Sequence, residues 1–111
     1  MVLALAGMPG AALGESLPPL KVSDYKNPVR LACVGDSITQ GSGAAKGMSY
    51  PSQLQEMLGD AWQVKNFGVG GRTLMRSGDH PYWNETAFKQ AREFDPDVVV
   101  IMLGTNDTKP Q

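Results

Sequence analysis

The sequence has little of several residue types that define common protein classes. Its 111 residues include a single cysteine and a single histidine, and the formal net charge is only -1. One cysteine excludes an intrachain disulfide, and no set of Cys and His has the spacing of a zinc site. The basic residues are scattered, which argues against nucleic acid as a partner. We therefore expect neither a metal nor a cofactor.

The length suits one globular domain. Residues 1–14 are apolar and uncharged but too short to span a bilayer, so we expect no membrane span. Their end, Ala-Leu-Gly, is similar to the end of a secretory signal, although the usual positive start is absent. Two interpretations stay open: a clipped export signal, which implies a secreted or periplasmic protein, or a disordered leader of a cytoplasmic one. We assign residues 1–27 to a leader and linker, and residues 28–111 to the domain.

From residue 29 onward, short apolar runs alternate with amphipathic segments. The predicted strands are residues 29–34, 62–67 and 98–103, and the predicted helices are residues 50–58 and 85–94. We expect one apolar face on the first helix, made by Leu54, Met57 and Leu58, and the second helix carries Phe88, Ala91 and Arg92 at helical spacing. The last strand is apolar without alternation, which is typical of a parallel strand covered on both faces. The order of elements predicts a three-layer α/β fold with right-handed crossovers. Cys33 lies within the first strand and is interpreted as a core residue.

Each predicted strand ends in a polar loop that contains glycine. Because ligands of open parallel sheets bind at the carboxyl ends of the strands, we expect the three loops to converge on one crevice. Ser37 follows the first strand directly. A serine hydroxyl attacks an acyl carbon when a base takes its proton and N–H donors face the developing oxyanion. The backbone N–H of Gly71 and the side-chain amide of Asn106 are candidate donors.

These loops resemble the first three sequence blocks of the SGNH (GDSL-type) hydrolases. The matching residues are Gly35-Asp36-Ser37-Ile38, the glycine loop from Asn66 to Gly71, and Gly104-Thr105-Asn106-Asp107. The resemblance implies a flavodoxin-like α/β/α sandwich and an esterase that acts through an acyl-serine intermediate. It further implies that Ser37 is the nucleophile, and that its own N–H, Gly71 and Asn106 form the oxyanion hole. Members of this family cleave carboxylic esters of lipids, aryl alcohols or acetylated sugars.

The match is incomplete in one respect. The family's Asp-x-x-His block, which supplies the base and its orienting acid, does not occur in this sequence. His80 has Ser77 three positions earlier, and we interpret it as a solvated loop residue that at most lines the pocket. In addition, a sheet order of 2-1-3 would leave the strand at residues 98–103 at an open edge. Both observations predict the amino-terminal part of a longer hydrolase domain, truncated after its third strand.

Simpler structural interpretations compete with each of these assignments. Ser37 is also explained as a helix N-cap, Asp36 as a cap or loop-orienting residue, and the glycine cluster as ordinary turns. For Trp83 we favour packing, with stacking on a sugar ring as the alternative. Arg72 is grouped with Asp36, His80 and Trp83 as a possible pocket residue.

Other catalytic motifs fail by their spacing. The phosphate-binding and dinucleotide-binding patterns are not satisfied around Lys46, and Thr39 replaces the last glycine of a nucleophile elbow. Two classes of function stay open. The first is a serine esterase acting on a small-molecule or acetylated carbohydrate ester, and the second is a non-catalytic binding module of the same fold.

Overall fold

The computed structural model describes residues 2–6, 18–26 and 28–108. Its strands are β1 (Val2–Ala6), β2 (Val29–Gly35), β3 (Trp62–Gly68) and β4 (Val98–Met102), and its α-helices are α1 (Ser37–Gln40), α2 (Tyr50–Leu58) and α3 (Thr86–Glu93). Single 3-10 turns occur at Val22–Asp24, Tyr82–Asn84 and Thr105–Thr108. The three strands and two helices predicted from the sequence are confirmed to within one residue at each end. The short helix α1 was not predicted.

The strand β2 is central among the parallel strands. It pairs in parallel with β3, where Gly35 lies opposite Gly68, and with β4, where Gly35 lies opposite Met102. In chain order, the parallel strands therefore lie third, first, second, as the flavodoxin-like arrangement predicts. Because the carboxyl ends of the strands are level in this register, the loops that follow them begin side by side.

The outer edge of β4 is not open, so that prediction was wrong. The strand β1 pairs with it antiparallel, with Val2 opposite Met102 and Ala6 opposite Val98. An edge strand presents unpaired backbone N–H and C=O groups, which bind any extended segment of suitable composition. Residues 7–17 of the predicted leader lie outside the described residues, and its interpretation as an export signal stays a prediction. No helix in the described part of the chain is long and apolar enough to cross a membrane.

Alternate residues of the sheet contribute to two separate cores, one on each face. The first core contains Val29, Leu31, Cys33 and Val98, with Leu54 and Leu58 of α2 packed against it. The second contains Ala32, Val34, Phe67, Tyr82, Ala91 and Leu103, with Phe88 of α3 packed against it. Since α2 and α3 cover opposite faces, the structure has the predicted three layers.

Two details of the core test the sequence interpretation. Cys33 is fully buried, as predicted, and its burial raises the pKa of the thiol to about 11, which keeps the thiol protonated at neutral pH. Met57 was expected on the apolar face of α2 but is 82% exposed. At 3.6 residues per turn it lies about 80° from the midpoint of Leu54 and Leu58, which pack against the first core together with Tyr50.

Candidate active site

The first loop turns at once into the one-turn helix α1. Asp36 is its N-cap, since the carboxylate oxygen Oδ1 accepts the N–H of Ile38 at 3.1 Å. The side chain of Asp36 is almost completely buried. The cap therefore belongs to Asp36 and not to Ser37, which occupies the first helical position and is half-buried. This arrangement leaves the hydroxyl of Ser37 without a capping task.

The second loop lies unusually close to the first. A Cβ atom on Gly68 would collide with backbone atoms of Thr39 and Gln40 in α1, so only glycine permits this approach. Asn66 ties the same two segments together. Its Nδ2 donates to the carbonyl of Thr39 at 2.7 Å, and its Oδ1 accepts the N–H of Gly68 at 2.8 Å. The glycine here serves close packing of the two loops rather than an ordinary turn.

Further along the second loop, Gly70 lies against the serine. A Cβ atom on Gly70 would be 3.6 Å from Cβ of Ser37, and the N–H of Gly70 donates to Oε1 of Gln40 at 2.9 Å. Gly71 has φ of 78°, in the left-handed region that side chains disfavour. No described atom lies within 4 Å of where its Cβ would be, so this position borders open space.

The third loop joins the other two through Asn106. Its Nδ2 donates to the carbonyl of Arg72 at 3.0 Å and lies 3.4 Å from Oδ2 of Asp36. The neighbouring Asp107 accepts two backbone N–H groups of the second loop, from Leu74 at 2.8 Å and from Met75 at 2.7 Å. The three loops therefore meet at the carboxyl end of the sheet.

Arg72 is bonded to groups of the protein on two sides. Its Nη1 donates to the carbonyl of Gly70 at 2.9 Å, and its Nε donates to Oε1 of Glu85 at 2.6 Å. The two side chains of this ion pair are 28% and 27% exposed. Partial burial reduces screening of the pair by solvent. Arg72 thus connects the carbonyl of Gly70 in the glycine loop to the carboxylate of Glu85.

The two other predicted pocket residues occupy different surroundings. His80 is exposed, and its backbone N–H donates to Oδ1 of Asp79 at 2.9 Å. The indole N–H of Trp83 donates to the carbonyl of Leu74 at 2.6 Å. The Trp83 ring meets the ring of Phe88 edge-on, with 5.1 Å between centroids. Trp83 is therefore anchored in the core on the α3 side of the sheet, which supports the packing interpretation.

Sequence reasoning missed Gln40, Glu85 and Asp107, which hold these loops together. Asp107 follows Asn106 in the third block, and an acid at the end of a strand-terminal loop was a usable signal. Gln40 and Glu85 bond to partners 30 and 13 residues away. No local pattern marks such long-range partners.

The order of the parallel strands and the three strand-terminal loops agree with the α/β/α arrangement expected of a GDSL-type domain. The sequence matches the GDSL-like Lipase/Acylhydrolase family over residues 33–111, a range that includes all three loops, and the chain belongs to that family. It is also 56% identical over 100 residues to an acetylxylan esterase from Xylanibacter ruminicola. This alignment covers 87% of the chain and 20% of the relative, so the chain spans about a fifth of that protein. No solved structure matches the chain.

Proposed function

We propose that this chain supplies the nucleophile and the oxyanion hole of a serine esterase that deacetylates a carbohydrate. The observation that carries the proposal is the junction of loops at Asn106, which contacts the first loop at Asp36 and the second at Arg72. Gly70 meanwhile lies against Ser37. Membership of a family of lipases and acylhydrolases supports ester hydrolysis, and the similarity to an acetylxylan esterase supports an acetylated sugar as substrate.

In this mechanism the hydroxyl oxygen of Ser37 attacks the ester carbon while a base removes its proton. The carbonyl oxygen becomes an oxyanion that accepts hydrogen bonds from the N–H of Ser37, the N–H of Gly71 and Nδ2 of Asn106. Collapse of the tetrahedral intermediate breaks the bond to the alcohol, which leaves with the proton from the base. Water then hydrolyses the acyl-serine by the same steps, releasing the acid and restoring the hydroxyl.

The family pattern assigns the base to a histidine in an Asp-x-x-His block, which these 111 residues do not contain. Exposed His80 has no acid three positions earlier, and we assign it no part in proton transfer. We therefore propose that the activity is that of a longer protein that includes this sequence, in keeping with the much greater length of the acetylxylan esterase. The tests below use that full-length protein.

To stabilise an oxyanion, Asn106 has to redirect one of the two hydrogen bonds that its side-chain NH₂ donates. Its bond to the carbonyl of Arg72, at 3.0 Å, has ordinary length and orients the amide. Its contact with Oδ2 of Asp36, at 3.4 Å, is longer than a good hydrogen bond and correspondingly weak. The N–H group directed at Asp36 can therefore exchange this weak hydrogen bond for one to the oxyanion with little loss of free energy. The bond to the carbonyl of Arg72 keeps the amide in place meanwhile.

Two substrates and one probe test the proposal. The full-length protein is expected to release acetate from acetylated xylan and from 4-nitrophenyl acetate, and Ser37→Ala is expected to lower both rates by about 1,000-fold or more. A fluorophosphonate probe should label Ser37 in the native protein and leave the variant unlabelled. Ser42→Ala, a substitution of an exposed serine in the following loop, is the matched control and should behave like the native protein.

The outcomes separate the parts of the proposal. Absence of both labelling and acetate release would contradict catalysis and favour the non-catalytic binding module. Hydrolysis of 4-nitrophenyl acetate without release of acetate from xylan would contradict the carbohydrate substrate alone.

A further inference from the structure

We infer that Arg72 is a positioning residue which, held by Glu85, sets the direction of the Gly71 N–H and thereby the geometry of the oxyanion hole. The inference rests on the proposed function. It extends that function to a side chain outside the three proposed donors.

The argument begins with the peptide unit between Gly70 and Gly71. In a planar trans peptide the C=O of one residue and the N–H of the next point in opposite directions. Nη1 of Arg72 holds the carbonyl oxygen of Gly70 at 2.9 Å. The N–H of Gly71 therefore points away from the guanidinium group, and its direction is fixed as long as that bond holds.

Two successive glycines make this support necessary. Glycine visits a wide range of backbone angles, and Gly71 already occupies the left-handed region at φ 78°. The peptide unit on the other side of Gly70 is held as well, because its N–H donates to Oε1 of Gln40 at 2.9 Å. Gly70 is thus hydrogen-bonded at its N–H to Gln40 and at its C=O to Arg72. Loss of the bond to Arg72 removes one of the contacts that fix the direction of the Gly71 N–H.

Glu85 fixes the guanidinium group of Arg72, which donates the hydrogen bond to the carbonyl of Gly70. The Nε of Arg72 bonds to Oε1 of Glu85 at 2.6 Å, and the pair is about three-quarters shielded from solvent. Arginine presents Nε and Nη1 in a rigid plane, so one side chain reaches the carboxylate and the carbonyl together. A lysine carries a single ammonium on a flexible stem and does not reproduce that fork.

The main chain of Arg72 contributes to a second donor. Its carbonyl accepts Nδ2 of Asn106 at 3.0 Å, the bond that orients this amide. The side chain of Arg72 therefore controls the N–H of Gly71, and its backbone controls the amide of Asn106. A displacement of Arg72 moves two of the three proposed oxyanion donors at once.

Kinetics of Arg72→Gln, Arg72→Lys and Glu85→Gln in the full-length protein test this inference. We expect kcat for 4-nitrophenyl acetate to fall about 10- to 100-fold in Arg72→Gln, because misplaced donors weaken transition-state stabilisation. KM should change by less than about twofold, since these bonds form mainly in the transition state. Arg72→Lys should fail to restore kcat. The double variant Arg72→Gln/Glu85→Gln should be no slower than Arg72→Gln, because both residues act through one bond to Gly70.

Arg76→Gln is the matched control. It removes the same charge from an exposed residue of the same loop and should leave kcat as in the native protein. An equal loss of kcat in Arg76→Gln would assign the effect to net charge and overturn the inference.

Hydrogen exchange supplies a readout that does not depend on activity. The peptide covering residues 68–74 should exchange faster in Arg72→Gln than in the native protein or in Arg76→Gln. If the Arg72 variants lower only the melting temperature, with native kcat and native exchange in this peptide, Arg72 is structural and the inference is wrong. If Ser37→Ala leaves hydrolysis unchanged, the proposed function fails instead, and the exchange data still decide whether Arg72 orders the glycine loop.

Discussion

The two ends of the parallel strands differ in how far their charged side chains are shielded from solvent. At the carboxyl end, the carboxylate of Asp36 is almost fully buried, and Arg72 lies 2.6 Å from Glu85 with both side chains largely shielded. At the amino end, Arg30 and Asp95 are 3.4 Å apart, with side-chain exposures of 41% and 89%. Arg30 and Asp95 line an open cavity of about 530 Å³. The shielded charged groups, Asp36 and the ion pair of Arg72 with Glu85, lie at the carboxyl end instead. The proposed site and this cavity therefore lie at opposite ends of the parallel strands.

The charges of the amino end fasten strands to each other. The backbone N–H of Arg30 donates to Oδ2 of Asp97 at 2.9 Å, and the N–H of Asp97 donates to the carbonyl of Arg30 at 2.8 Å. These bonds connect the start of β2 to the residue before β4. At the carboxyl end the comparable bonds connect loops, which places Gly70 beside Ser37 and Asn106 beside Asp36 and the carbonyl of Arg72. Side-chain carboxylates accept backbone N–H groups at both ends, but these bonds join strands at the amino end and loops at the carboxyl end.

Removal of the Asn106 amide should produce the largest effect among the substitutions that sharpen this comparison. Asn106→Ala in the full-length protein is expected to lower kcat for 4-nitrophenyl acetate by about 100- to 1,000-fold, because one oxyanion donor is lost. Steady-state kinetics measure this, with exposed Asn84→Ala as the control. A loss of less than about tenfold would show that Asn106 does not bind the oxyanion.

Close approach of the loops should make Gly68 sensitive to any side chain. Gly68→Ala pushes Cβ into the backbone of α1, and we expect a loss of about 3 kcal/mol in the free energy of unfolding. Gly43→Ala is the control: its φ of 81° disfavours alanine, but there is no atom within 4 Å to collide with. This variant should lose only about 1 kcal/mol. Equal losses in urea titrations would refute the close approach.

Alkaline pH should reduce the stability that the buried thiol of Cys33 contributes to the core. Desolvation raises the pKa of its thiol from 9.0 to about 11, so between these values the unfolded chain releases a proton that the folded chain retains. The thiol's contribution to stability is therefore complete below pH 9 and is lost as pH rises toward 11. The difference in unfolding free energy between the native protein and Cys33→Ala should shrink over this range. A constant difference from pH 8 to 11 would contradict burial of the thiol.

The smallest effect is expected at the exposed amino end. Arg30→Gln removes a solvent-exposed ion pair with Asp95, and such pairs contribute about 0 to 1 kcal/mol. We expect a change in unfolding free energy below about 0.5 kcal/mol and native kcat. A larger effect on kcat than that of Arg72→Gln would break the comparison between the two ends.

Periodic patterns made most of the fold predictable. The uninterrupted apolar run of β4 indicated a strand packed on both faces, and its alternate residues do contact both cores. Phe88 and Ala91, predicted at helical spacing in α3, do contact the second core, whereas Arg92 of the same set is exposed. The helix α1 has only four residues and depends on the carboxylate of Asp36, which is too little for a periodic signal. The pairing of β1 with β4 joins segments far apart in sequence, and no local pattern reveals such a pairing.

The candidate site was predictable in its blocks but not in its supports. Ser37, Gly71 and Asn106 were identified because each follows a strand, and their proposed roles stay predictions. The pairing of Arg72 with Glu85 spans 13 residues and is visible only in the structure. Residues that support a site are recognised by their distance from a partner in the fold, and no sequence motif marks them. For this reason the sequence identified Arg72 only as a possible pocket residue and did not reveal its partners.

A crystal structure of the full-length protein with Ser37 phosphonylated would test the shared oxyanion hole most directly. We expect the phosphonyl oxygen about 3 Å from the N–H nitrogen of Gly71 and from Nδ2 of Asn106. The contact between Nδ2 and Asp36, now 3.4 Å, should be lengthened. A phosphonyl oxygen directed into solvent, with Asn106 still bonded to Asp36, would contradict the proposed site.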